Sequence, residues 1–176
     1  MKIAMIIAFR NFRDEEYFIP KEVFEKAGAQ VTTVSTAVGM AIGSHGGEAE
    51  VTSTIDDLDV KSYDAIVFVG GPGSHHLLED AQVHRIAQEA VKENKVVAAI
   101  CFAPAILARA GILFGRKATV WSSEIDKTAV KILQEEGALY RQEPVVVDGK
   151  IVTARGPEVA KDFGERVLEV LKENQA

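Results

Sequence analysis

The stretch 95-KVVAAICFAPAILARAG-111 decides how this chain folds. A β-rich apolar run, VVAAI at 96–100, meets a helical pattern whose first turn holds Pro104, and the chain's single cysteine, Cys101, stands at the joint. Strand, tight turn and helix in that order form one step of a parallel sheet covered by helices. Proline is well placed there, because the N–H it lacks would have had no intrahelical partner.

Working outward, the same alternation recurs. IAMIIA (3–8), VTTVS (31–35), AIVFVG (65–70), ATVW (118–121) and IVTA (151–154) read as further strands. Helical patterns fall at about 14–27, 75–93, 103–110, 126–136 and 158–173. Gly28, Gly111 and Gly137 each follow a helical pattern, where a left-handed residue ends a helix well. Residues 38–55 are rich in Gly, Ser and Thr and predict a small antiparallel excursion. Asp148-Gly149 lies between two β-rich runs and predicts a hairpin whose central residues take positive φ. The fold class is α/β, a mostly parallel sheet with helices on both faces.

The chain has 176 residues, 47% apolar and 26% charged, with a net charge of −6. That length suits one domain spanning 1–176. The acidic balance and the absence of a clustered Lys/Arg surface argue against nucleic acid and anionic membranes as partners. No apolar run approaches the roughly 20 residues of a membrane helix. The first apolar run is short for a secretory signal and suits a buried strand. A lone cysteine forms no internal disulfide, so the expected compartment is the cytoplasm.

In an open parallel sheet, ligands gather beyond the carboxyl ends of the strands. Gly70-Gly71, Cys101, Trp121-Ser122 and Arg155 all fall at such ends, and together they describe one rim. Cys101 is either a buried structural thiol or a nucleophile, and its place at a strand-to-helix turn favours the nucleophile. Amides at a helix start would favour its thiolate form. Gly70-Gly71 is either a tight turn or a loop whose backbone N–H approaches a reacting carbonyl. No Gly-Lys-Ser/Thr follows it, so it is no P-loop. Glu16 shares a helix face with Pro20, Val23 and Ala27, a stripe that should face the sheet. It is either a partly exposed first-turn residue or a carboxyl group sharing a proton with Cys101. His45, His75, His76 and His84 show no metal-ligand spacing and read as surface or rim residues, so neither metal nor cofactor is expected.

Taken in order, EEYFIP with Glu16 four before Pro20, IVFVGGPG, AAICFAP, PVVVDGKIVTARGP and the closing helix make the chain resemble the ThiJ/PfpI family across nearly its whole length. The resemblance implies a flavodoxin-like three-layer sandwich with a reactive cysteine at a nucleophile elbow. It also implies that Glu16 is the protonated partner of the thiol, that the amides of Gly71 and Phe102 are oxyanion donors, and that the chain forms a homodimer or higher homo-oligomer. Departures are equally informative. The peptidase-like branch has histidine directly after its cysteine, and here that residue is Phe102. The deglycase-like branch often has a histidine after the next strand, where this chain has Trp121-Ser122. The Ser122 hydroxyl could position substrate or water.

The function these features point to is a cysteine-dependent enzyme acting on reactive dicarbonyls such as methylglyoxal or on their protein adducts, of glyoxalase or deglycase type. Its partners would be a small carbonyl substrate or a glycated protein. The alternatives are a cysteine redox sensor or chaperone-like stress protein without turnover, and an intracellular cysteine peptidase. Peptide cleavage is the weaker reading, because amide hydrolysis needs an acid for the leaving amine and the local Cys-His pair is absent.

Overall fold

The computed structural model describes residues 1–175. The chain runs β1 (Lys2–Ile6), β2 (Arg10–Phe12), α1 (Asp14–Lys26), β3 (Gln30–Ser35), β4 (Gly39–Gly43), β5 (Glu48–Val51) and β6 (Ser53–Thr54). It continues through β7 (Ala65–Phe68), α2 (Ala81–Lys92), β8 (Val96–Ile100), α3 (Ala103–Arg109), β9 (Lys117–Ala118) and α4 (Thr128–Glu135). The last elements are β10 (Leu139–Tyr140), β11 (Val145–Asp148), β12 (Ile151–Ala154) and α5 (Ala160–Gln175).

Seven strands form the central sheet in the order β11-β12-β8-β7-β1-β3-β6. All neighbours are parallel except β11 and β12. Side chains alternate faces with the period of two that strands impose. Ile3, Met5, Val67, Ala98 and Ile100 pack under Phe24 of α1 and Phe163 and Val167 of α5. Ala4, Ile6, Phe68, Val97 and Ala99 face Ile86 of α2, Ile106 of α3 and Leu133 of α4. Helices therefore cover both faces, and the expected flavodoxin-like sandwich is the fold observed. β3 lies on one side of β1 and β7 on the other, so the loops leaving β1 and β7 diverge and open a crevice between them.

The excursion at 38–55 is a three-stranded sheet in the order β2-β4-β5, with β4 and β5 antiparallel. β2, too short to be legible as a strand, joins it and fixes the chain just ahead of α1. Four expectations need correction. The helix at 75–93 is broken: a 3-10 helix at Pro72–Leu77 precedes α2, and the Asp80 carboxylate caps α2 by accepting from the amides of Gln82 and Val83. The strand at 118–121 shrinks to Lys117–Ala118 and pairs only with β10, because beyond it Thr119 N–H donates to the Thr153 hydroxyl instead of a neighbouring strand. The hairpin turn centres on Gly149 and Lys150, since Asp148 already pairs with Ile151. Only Gly149 takes a positive φ there, so the turn needs one left-handed residue instead of two. The pattern at 126–136 starts its helix at Thr128, with the Asp126 carboxylate accepting from Thr128 N–H.

Among the described residues no helix is long and apolar enough to cross a membrane.

Candidate active site

Cys101 follows β8 directly and takes φ of +65°, a left-handed conformation that a non-glycine residue adopts only under constraint. The constraint is visible on both sides. Its N–H donates to the Ala154 carbonyl at 2.9 Å, and its carbonyl accepts from Trp121 N–H at 2.8 Å. This sharp turn leaves the thiol half-buried at the end of β8.

Glu16 comes from the first turns of α1 and is 0% exposed. Pro20 sits inside the same helix and has no N–H to offer the Glu16 carbonyl, so α1 lacks that rung. Along the same face of the helix, Gly164 of α5 lets the two helices close. A Cβ there would stand 3.2 Å from Pro20 Cα. Both carboxyl oxygens of Glu16 are buried without a hydrogen-bonding partner. Burial holds this carboxyl up at about 8, opposed by the Cys101 side chain and by the Arg13 charge. At neutral pH it is therefore a carboxylic acid.

The thiol answers to the same forces, and they correct a simpler expectation. The helix that follows is only seven residues long. Burial outweighs its dipole and pushes the Cys101 thiol up, and a charged Glu16 beside it would push it further. What pulls the thiol down is local: the backbone N–H groups of Phe102 and Gly71 donate to it. Once one proton has left the pair, the negative charge has two possible seats. The sulfur has two amide donors and the Glu16 oxygens have none, which favours charge on sulfur and works against the effect of burial on the thiol.

Two glycines make this meeting possible. A Cβ on Gly70 would lie 2.7 Å from Cys101 Cβ and 3.0 Å from Glu16 Oε2, so Gly70 leaves the space in which thiol and carboxyl approach. A Cβ on Gly71, whose φ is +108°, would lie 2.4 Å from the Arg13 nitrogen. The Ser74 hydroxyl donates to the Gly71 carbonyl at 2.6 Å and Arg13 N–H donates to that of Gly70 at 3.0 Å, which fixes the loop.

A cleft of about 420 Å³ opens onto this centre. Cys101, Gly71 and Trp121 of the rim read in the sequence line it, together with Glu16, Phe102, Arg13, His75, Asp126 and Glu158. Ser122 and Arg155 line a neighbouring cleft of about 400 Å³ that shares the Trp121 and Glu158 walls. Arg155 is paired there with Glu158 at 3.0 Å. His75 was expected as a surface or rim residue, without a role in the site. Its ring lies flat against Phe102, centroids 3.7 Å apart and planes 8° apart, and its charge interacts with Asp126. The signal that could have found it is its place in the loop after β7, beside the loop after β8. The stack itself joins residues from two crossovers and has no local pattern.

A doubly wound α/β protein with a strained cysteine at a strand-to-helix turn and a buried acid beside it defines the class. Within that class the chain belongs to the DJ-1/PfpI family, whose family model matches residues 1–170. It is 44% identical over 174 residues to an uncharacterised protein of Methanocaldococcus jannaschii, covering 98% of this chain and 83% of that one. It is 31% identical over 172 residues to protein/nucleic acid deglycase 2 of Escherichia coli, covering 97% of each. The crystal structure of a ThiJ/PfpI domain protein from Brachyspira murdochii matches with a TM-score of 0.93 at 35% identity, over 98% of this chain and 96% of that one.

Proposed function

We propose that the protein is a cysteine-dependent enzyme that converts reactive dicarbonyls, free or as protein adducts, with Cys101 as nucleophile and Glu16 as proton carrier. The observation that carries this reading is the fully buried, unpartnered Glu16 facing a strained Cys101 at the wall of an open cleft. The similarity to a protein named a deglycase supports it.

With methylglyoxal, the thiolate adds to the aldehyde carbon and forms a C–S bond. Glu16 gives its proton to the resulting oxygen, which leaves a hemithioacetal and a carboxylate. That carboxylate removes the hydrogen from the same carbon and returns it to the adjacent one, while the hydroxyl proton of the first carbon passes to the oxygen of the second. The first carbon is thereby oxidised and the second reduced, giving a lactoyl thioester on Cys101 without any external oxidant. The amides of Gly71 and Phe102, which donate toward the sulfur, are the donors we assign to the developing oxygen charge. Hydrolysis of the thioester releases lactate.

The test is conversion of methylglyoxal to lactate by purified protein, with Cys101→Ser and Glu16→Gln as variants. Loss of activity in both, with the fold intact, is the expected result, and equal activity in Cys101→Ser overturns the reading. A second reading has its own observation. Two N–H donors at a sulfur beside a carboxylic acid also suit the oxygens of a sulfinic acid. It requires that mild peroxide add two oxygens at Cys101, and a thiol unmodified by peroxide excludes it.

A further inference from the structure

We propose that His75, stacked on Phe102 and facing Asp126, is the base that activates the water clearing the acylated Cys101. This rests on the dicarbonyl reading above.

The argument begins with what Glu16 does not offer. A thioester on Cys101 is cleared only by a water entering from the open side of the cleft, with a group there to take its proton. Glu16 and His75 both line the cleft with Cys101, but Glu16 is 0% exposed, whereas His75 is exposed and open to entering water. No histidine follows the cysteine in this chain, because Phe102 holds that position. The phenyl ring supplies a platform instead. A parallel stack engages the face of the imidazole and leaves both ring nitrogens free at its edge. The other histidines with ring contacts are differently engaged: His84 Nε2 bonds the Leu78 carbonyl and His45 Nδ1 bonds Glu15.

Asp126 completes the arrangement. Its Oδ1 accepts from Thr128 N–H, and its own N–H donates to the Ser123 hydroxyl, so the carboxylate is anchored in the loop ahead of α4. The charges that act on His75 are Asp126, which favours the imidazolium, and His76 beside it, which opposes it. Arg13, Glu16, Cys101 and Glu158 are the other ionisable groups of the cleft. Partial burial holds His75 below the usual imidazole range, so it is a neutral base at pH 7.

The step balances. His75 takes a proton from water as the water oxygen bonds the thioester carbon, and the C–S bond then breaks to return the thiolate. The new lactic acid gives its carboxyl proton to Glu16, and the imidazolium releases its proton to solvent. The resting pair is restored.

The experiment follows methylglyoxal turnover and the intact mass of the enzyme in wild type, His75→Gln and Asp126→Asn, with thermal melts confirming the fold. In His75→Gln, kcat should fall by about a hundredfold, within the usual range for a general base. KM should fall with it and kcat/KM should hold, because steps up to acylation are untouched. The lactoyl group should accumulate on Cys101. In Asp126→Asn the acid limb of the kcat profile should move to lower pH, since the imidazolium loses its counter-charge. Normal kcat without an acylated enzyme in His75→Gln, while wild type turns over, overturns the assignment alone. No lactate and no acylation in wild type overturns the dicarbonyl reading beneath it.

Discussion

Replacing Glu16 with Gln removes a costly titration from the fold. In the unfolded chain this carboxyl ionises at its ordinary value of 4.5, whereas in the folded protein burial keeps it protonated up to about 8. Between those two pH values the native state binds one proton more than the unfolded state, so stability falls as pH rises. The contribution is fully present below 4.5 and gone once the pH passes about 8. At about 1.4 kcal/mol per pH unit, the whole interval is worth about 5 kcal/mol. Urea unfolding of wild type and Glu16→Gln across this range reads the Glu16–Cys101 pair, because every titrating group outside that pair is common to both. Between about pH 5 and pH 8 the wild type should lose roughly 3 to 4 kcal/mol relative to the variant. The glutamine amide is itself unpartnered in this site, which lowers the variant by a constant amount and leaves the slope untouched. Parallel stability curves for the two proteins would refute the reasoning, because they would mean that Glu16 ionises in the folded state as easily as in water.

Three further outcomes follow from the geometry. Gly70→Ala places a methyl 2.7 Å from Cys101 Cβ and 2.6 Å from the Ile100 carbonyl. It should cost about 1–3 kcal/mol in chemical denaturation and sharply slow alkylation of Cys101. Because Cys101 holds φ at +65°, Cys101→Gly should unfold at higher urea than Cys101→Ala, by about 1 kcal/mol, although glycine removes one more carbon. Asp80→Ala deletes the cap of α2 and should cost about 1 kcal/mol while leaving methylglyoxal turnover unchanged, as the residue is remote from the cleft.

The layers of the fold were legible because each obeys a local rule. β8 and β1 are continuous apolar runs, as strands covered on both faces must be, and Gly28, Gly111 and Gly137 do take the positive φ that a helix end requires. What went unread was set by contacts distant in sequence. The break at Leu78–Asp80 is decided by the Asp80 cap and the turn before it, while the flanking residues keep a helical pattern. The strand at 118–121 has the right composition and lacks a neighbour to pair with. At the site, the stripe of Glu16 with Pro20 showed that the carboxyl faces inward, and the turn at Cys101 showed where the thiol stands. The net effect of burial against the Gly71 and Phe102 amides needed the cleft itself, and so did the pairing of His75 with Phe102. Ser122 and Arg155 were read on the same rim but line the next cleft, a distinction that sequence order does not carry.

The state of the Glu16 proton can be observed directly. An infrared titration of wild type, with the Glu16→Gln spectrum subtracted, should show the carbonyl band of a carboxylic acid at pH 7, persisting to about pH 8 or beyond, while thiolate absorbance grows in the ultraviolet. A carboxylate band at pH 7, with the sulfur still a thiol, would contradict the account at its centre.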